Sequence, residues 1–347
     1  MNTEAAAAAN DAGLDAFANG DPTEAERLIK KAYRYSADQL GILVNLGLAL
    51  MQKGQPDLAE RCYRLALASK DLRTRRSASK NLGFLHLWRG EWQQGWHWHG
   101  QRFEGEALLK TLWQGEPLNG KPLVVWNDVG MGDAFQFVRY TLPLLERGER
   151  VVFGVDKSQI TIFQQRLCWP LAQVVDRKLI DHLAGPQVPL MSLIPVLDPS
   201  TSWGRTWKGP TWEIADAIPL QRGLCWASNP GDRSMHHYKS SSPEELLAGA
   251  SSKLPLLSLQ TDEFETHQRL KLDPPERSWL KTLERIGCCK EVLSVDTAVA
   301  HLAAGAGRTV MLQLASSYDW RWRGKPLWYP QLSLIRKIRE SKSHIKN

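Results

Sequence analysis

The sequence predicts an α + α/β protein in which tandem helical hairpins precede two α/β units, and three observations carry that prediction. Roughly the first hundred residues repeat in phase. Residues 122–155 run as strand, glycine turn, helix and strand. Residues 291–307 run as a Val- and Leu-rich strand, an Asp-Thr turn and a helix that ends at glycines.

In the repeats, Gly13, Gly20, Pro22, Ala25, Glu26 and Ala32 recur 34 positions later as Gly47, Gly54, Pro56, Ala59, Glu60 and Ala66. That is the tetratricopeptide period, with small residues where two helices touch and Gly-x-Pro at the turn between them. Gly83, Gly90 and Gly95 begin a third, irregular unit 36 positions on. Such arrays curve into solenoids that bind partner segments. Three units are near the minimum for stability, so Trp88, Trp92, Trp96 and Trp98 are expected to pack on the neighbouring domain, with a sugar-stacking platform as the alternative. His97 and His99 should face opposite ways.

Residues 104–120 are turn-rich and read as a linker. Residues 122–126 form a buried strand that enters Gly130-Met-Gly132-Asp133, followed by a helical pattern to Gly148, interrupted at Pro143, and a strand at 150–155. This is a βαβ unit. Its turn lacks the Gly-Lys-Ser/Thr ending of a P-loop and the third glycine of the dinucleotide fingerprint, so neither an ATPase nor a dehydrogenase follows. Asp133 stands where a helix N-cap would. Signals weaken between 156 and 220. A strand at 222–227 then ends at Ser228-Asn229-Pro230, a polar loop reaches Lys239, a helix is expected at 243–250, and a strand at 256–260. The adjacent His236 and His237 lack a third metal ligand.

The stretch at 291–307 bears most directly on function. Amides at a helix start, here those of Thr297 to Val299, attract an anion, and in open α/β sheets ligands bind beyond the carboxyl ends of strands. His301 lies one turn further along the helix. The ordinary alternatives are a capping Asp or Thr and a packed core histidine.

Ser294-Val-Asp296-Thr297-Ala298-Val-Ala-His301 resembles the donor motif of tetratricopeptide-repeat glycosyltransferases and, more distantly, of the heptosyltransferases (glycosyltransferase family 9); Ala298 stands for the heptosyltransferases' Gly. Gly130 to Asp133 with Gln136 to Tyr140, the Asn229-Pro loop with Lys239 in place of Arg and Ser228 in place of Gly, and Asp319-Trp320-Arg321-Trp322 with Trp328 also resemble family segments, in family order. The repeat-bearing O-linked N-acetylglucosamine transferase-like family is similar too.

The resemblance implies repeats at 1–104, a linker at 105–120, and a compact GT-B-like pair of Rossmann-like subdomains. The acceptor side would span 121–215 and the nucleotide-sugar side 216–347. Asp133 would be the catalytic base. Gly130, Gly132, Asn229, Lys239, Asp296, Thr297, Ala298 and His301 would form the donor and phosphate site, with Trp320, Arg321 and Trp328 as further candidates. The activity implied is inverting transfer from a nucleotide-sugar to a glycan, glycolipid or protein hydroxyl, with no cofactor and, since Asp-x-Asp is absent, no obligatory metal. The repeats would recruit acceptor or partner. The rival expectation is a degenerate scaffold that binds a protein through its repeats without turnover; the span between Gln260 and Ser294, shorter than the family pattern, points that way.

The formal charge of +7 is dispersed over 347 residues and no nucleic-acid motif accompanies it. Five cysteines without paired spacing suggest a reducing compartment. No run approaches the ~20 apolar residues of a membrane span, and the N-terminus lacks a signal pattern, so the expectation is a soluble cytoplasmic protein.

Overall fold

The computed structural model describes residues 2–105, 112–215, 217–248, 254–262, 264–324 and 328–336. Six helices come first: α1 (Thr3–Ala18), α2 (Pro22–Tyr35), α3 (Gly41–Gln52), α4 (Pro56–Ala66), α5 (Leu72–Arg89) and α6 (Trp92–Gly100). They pair as three hairpins. At Gly13, Gly47 and Gly83 a β-carbon would fall 2.5 Å from Ile29, 2.2 Å from Tyr63 and 2.6 Å from the His99 backbone, so the helices of each hairpin meet where the sequence repeats. Gly20, Gly54 and Gly90 have φ near +80°, which explains glycine at each inter-helix turn.

The first α/β unit holds β1 (Leu123–Trp126), β2 (Val151–Val155), β3 (Gln173–Asp176) and β4 (Gln187–Pro189), all parallel in the order β3-β2-β1-β4. The second holds β5 (Gln221–Cys225), β6 (Leu256–Ser258), β7 (Cys289–Val295), β8 (Thr309–Leu314) and β9 (Leu332–Arg336), parallel in the order β6-β5-β7-β8-β9. Both are Rossmann-like sheets, and their strand order reverses between β1 and β4 and between β5 and β7. The central strands read as apolar runs because helices cover both faces.

Several local expectations change. The helical pattern after Gly130 splits into a helix Met131–Phe137, a single 3₁₀ turn and a helix Leu142–Glu146, because Pro143 cannot supply an amide to a continuous helix. The loop before Lys239 is instead a helix, Arg233–Lys239. Residues 112–118 are not a free linker: Leu112 bridges to Gln187, and Trp113 and Leu118 are buried. The expected helix at 243–250 is observed as Pro243–Leu247, its last two residues lying outside the described residues. Residues 337–347, a basic stretch in the sequence, likewise lie outside the described residues.

The repeats are seated on both α/β units. Trp88 meets Tyr318, while Trp92 and Trp96 meet Trp320 edge-on at 6.2 and 5.7 Å. Trp98 does not join them; it packs within the repeats beneath Arg64. Arg102 forms a buried ion pair with Asp128 at 2.6 Å and also donates to Ser192 Oγ. Arg139, from the Gln136-to-Tyr140 segment, is fully buried and donates to the carbonyls of Gln136, Gly204 and Trp328. That motif fastens the first unit to the C-terminal segment.

Candidate functional site

The carboxyl ends of β1, β2 and β3 face those of β5, β6 and β7 across a crevice of about 620 Å³. Asn127, Asp156 and Arg177 line the first wall; Asn229, Asp262 and Asp296 to Val299 line the second.

On the first wall the Asn127 amide donates to the carbonyls of Val129 and Gly130, both at 3.1 Å, and so fixes the glycine turn. Gly130 is the N-cap. Asp133 is the third residue of the helix, and its Oδ2 reaches back to accept from the Gly130 amide at 2.9 Å, one half of a capping box. Its Oδ1 accepts from Arg321 Nη2 at 2.5 Å, across the crevice. Gly132 is a close approach: a β-carbon there would sit 3.2 Å from Ala298 Cα and 3.0 Å from the His301 ring.

On the second wall β7 delivers Asp296, whose Oδ2 pairs with Lys239 Nζ at 2.9 Å. Thr297 is the N-cap by position, yet its hydroxyl turns to Cys225 Sγ and Ser294 Oγ, leaving the first turn of helix Ala298–Gly305 with no side-chain cap. The amides beginning at Ala298 therefore open on the crevice, where an anion is favoured. Ala in place of Gly is tolerated at 298 because the position is helical.

His301 Nδ1 lies 3.1 Å from Tyr329 Oη, its Nε2 3.5 Å from Arg321 Nη1, and its ring stacks on Trp322. Burial first, then the Arg321 charge, bring its pKa down to about 3, so the imidazole is neutral at physiological pH. A guanidinium only donates, so the Arg321 contact is a hydrogen bond only in the tautomer that carries the proton on Nδ1. Burial would raise the Asp296 carboxyl, but the neighbouring positive charges, Lys239 first and Arg321 with it, together outweigh it and hold the group well below the usual range. Arg321 is stabilised as a cation against its burial by Asp133, Asp319 and Asp296, and Asp319 also accepts from its Nε at 2.9 Å.

The candidates Gly130, Gly132, Asp133, Asn229, Lys239, Asp296, Thr297, Ala298, His301 and Arg321 thus share one crevice. Asn229 uses its side-chain oxygen to close a turn on the Gly231 amide. Trp320 and Trp328, expected as further site candidates, do not line the crevice: both are buried and edge-on to one another, and Trp320 stacks on Phe137, so they join the units. His236 faces the Ser228 carbonyl while His237 lies against Gly20, so the pair diverges. Asn127, Asp319 and Tyr329 were missed as site residues. The last two sit inside or beside the C-terminal signature, which could have flagged them; Arg177 carries no motif.

The tetratricopeptide repeat family model matches residues 16–79. The matched residues run from the end of α1 into α5. No curated protein matches the chain. Among solved structures, the E. coli heptosyltransferase WaaC with ADP is similar at 12% identity over 62% of this chain and 93% of that one, TM-score 0.45. The iron-containing dodecameric glycosyltransferase TibC from enterotoxigenic E. coli is similar at 10% identity over 56% and 57%, TM-score 0.41. A mutant of the Thermobaculum terrenum O-GlcNAc transferase is similar at 14% identity over 92% and 84%, TM-score 0.27. Among the described residues no helix is long and apolar enough to cross a membrane.

Proposed function

We propose that the chain is an inverting glycosyltransferase that needs no metal and moves a sugar from a nucleotide-sugar to an acceptor hydroxyl, with the repeats contributing to recruitment of acceptor or partner. One observation carries this reading. An Asp-Thr turn, uncapped helix amides, Lys239 and Arg321 converge at the carboxyl end of β7, directly opposite Asp133 from the end of β1.

The amides from Thr297 to Val299 and Lys239 supply the positive field that a departing diphosphate requires. Asp296 and the neutral His301 hold the sugar or ribose by hydrogen bonds. The acceptor oxygen bonds to the anomeric carbon as the bond from that carbon to the diphosphate oxygen breaks. The acceptor's proton passes to Asp133 and the nucleoside diphosphate leaves with the electron pair, so the configuration inverts.

The test is a thermal-shift screen against UDP-, GDP- and ADP-sugars, followed by Asp296→Ala and His301→Ala. One donor should raise the melting temperature, and each variant should weaken its binding by about 1.5–3 kcal/mol, the worth of a charged hydrogen bond. Folded variants that bind donor as the wild type does would exclude this assignment. Donor binding without transfer to any acceptor would favour the scaffold reading.

A further inference from the structure

Asp133 is engaged on both sides. Oδ2 accepts from the Gly130 amide at 2.9 Å and Oδ1 from Arg321 Nη2 at 2.5 Å, so each oxygen keeps a lone pair, but the guanidinium stands on the crevice side of Oδ1, where an acceptor hydroxyl would approach. The two partners differ in kind. The Gly130 bond belongs to the helix start of the first unit; the Arg321 bond crosses from the second unit and joins the two walls of the crevice.

Arg321 is also held by a separate anchor. Its backbone amide and its Nε both donate to Asp319 Oδ1, at 3.1 and 2.9 Å, which fixes the base of the guanidinium while Nη1 and Nη2 face the crevice. Nη1 lies 3.5 Å from His301 Nε2, and that same nitrogen is 4.0 Å from Asp296 Oδ1, beside the helix amides and Lys239. The far end of the guanidinium therefore stands between two anion positions. One is filled by Asp133; the other is the mouth of helix Ala298–Gly305.

From this geometry we infer that Arg321 is a donor-responsive clasp: a diphosphate in the crevice draws its Nη groups away from Asp133, and the released carboxylate becomes available as the base. The inference rests on the transferase reading above and adds to it an order of events. Asp319 keeps the arginine in place throughout, and the fork geometry of the guanidinium suits a phosphate as well as a carboxylate. No bond other than hydrogen bonds changes in this step.

The test uses calorimetric titration of the full chain with UDP, GDP, ADP and inorganic pyrophosphate. If Arg321 must leave Asp133 to bind the diphosphate, Asp133→Asn removes the competitor and tightens binding roughly tenfold, the order of one charge-assisted hydrogen bond no longer given up. Arg321→Gln weakens binding by a similar factor, and the double variant behaves as Arg321→Gln alone. A static clasp gives either no tightening for Asp133→Asn or a tightening that persists in the Arg321→Gln background, because it then reflects only the lost carboxylate charge; with wild-type binding intact, either result overturns the inference and leaves the diphosphate site standing. Absence of binding of all four probes by both wild type and Asp133→Asn overturns the site and the inference together. A wild-type crystal structure with bound diphosphate gives a reading free of variants: Nη2 on a phosphate oxygen supports the clasp, and Nη2 still on Asp133 refutes it.

Discussion

Trp320→Ala should be the most damaging single truncation at the junction of the three structural units. The indole is 2% exposed and touches Trp96 and Trp92 of the last repeat, Phe137 of the first α/β unit and Trp328 of the C-terminal segment, with centroids 5.7, 6.2, 6.0 and 5.7 Å away. Truncating a buried tryptophan costs about 3–5 kcal/mol, and aromatic pairs add about 0.5–1.5 kcal/mol each beyond the area they bury. Because four rings share the indole, their contributions overlap, and a loss of about 5 kcal/mol is expected. Urea unfolding followed by far-ultraviolet circular dichroism measures it without relying on tryptophan emission. In a cycle with Trp96→Ala the two losses should fall short of additivity by about 1 kcal/mol, since they delete one contact twice. A loss below about 1 kcal/mol, or strict additivity, would refute the view that this ring joins the units.

Three further outcomes are expected. Asp133→Asn preserves an acceptor for the Gly130 amide but no proton acceptor at neutral pH, so a folded variant should lose transfer by about 10²- to 10⁴-fold; near-normal transfer leaves only the helix-start role. His301 has an ordinary value of 6.5 and a folded value of about 3, so its stabilising contribution is complete above pH 6.5 and is lost as pH falls towards 3. By pH 5 that loss is about 2 kcal/mol, and the difference in unfolding free energy between pH 7 and pH 5 should shrink by that amount in His301→Gln; an unchanged difference counts against a buried neutral imidazole. Finally, an isolated fragment of residues 1–104 exposes Trp88, Trp92 and Trp96 and should be poorly stable; a cooperatively folded monomer with those rings shielded from a quencher contradicts this.

The repeats were legible because Gly13, Gly47 and Gly83 must be glycine wherever a second helix crosses, and steric need of that kind repeats in phase. The Asp-Thr turn was legible for a related reason, since a Val-rich strand and an Ala-rich helix have incompatible periods and the change between them falls at Asp296. Helix Arg233–Lys239 was not legible. Its stability comes from outside itself: Tyr238 Oη donates to the Ser317 carbonyl and His236 stacks on Phe264, so no apolar stripe marks it. Trp320 and Trp328 were misread because a tryptophan that binds sugar and one that seals an interface look alike until the neighbouring rings are known. The Arg321–Asp133 contact spans residues far apart in the chain and leaves no local pattern at all.

The approach of Gly132 to Ala298 has a mechanical consequence. A side chain at 132 would bring its β-carbon to 3.2 Å from Ala298 Cα and 3.0 Å from the His301 ring, so it would act as a wedge between the two α/β units. Asp133 follows Gly132 directly and His301 lies one turn beyond Ala298, so such a wedge would spread these two groups as well as the helix starts.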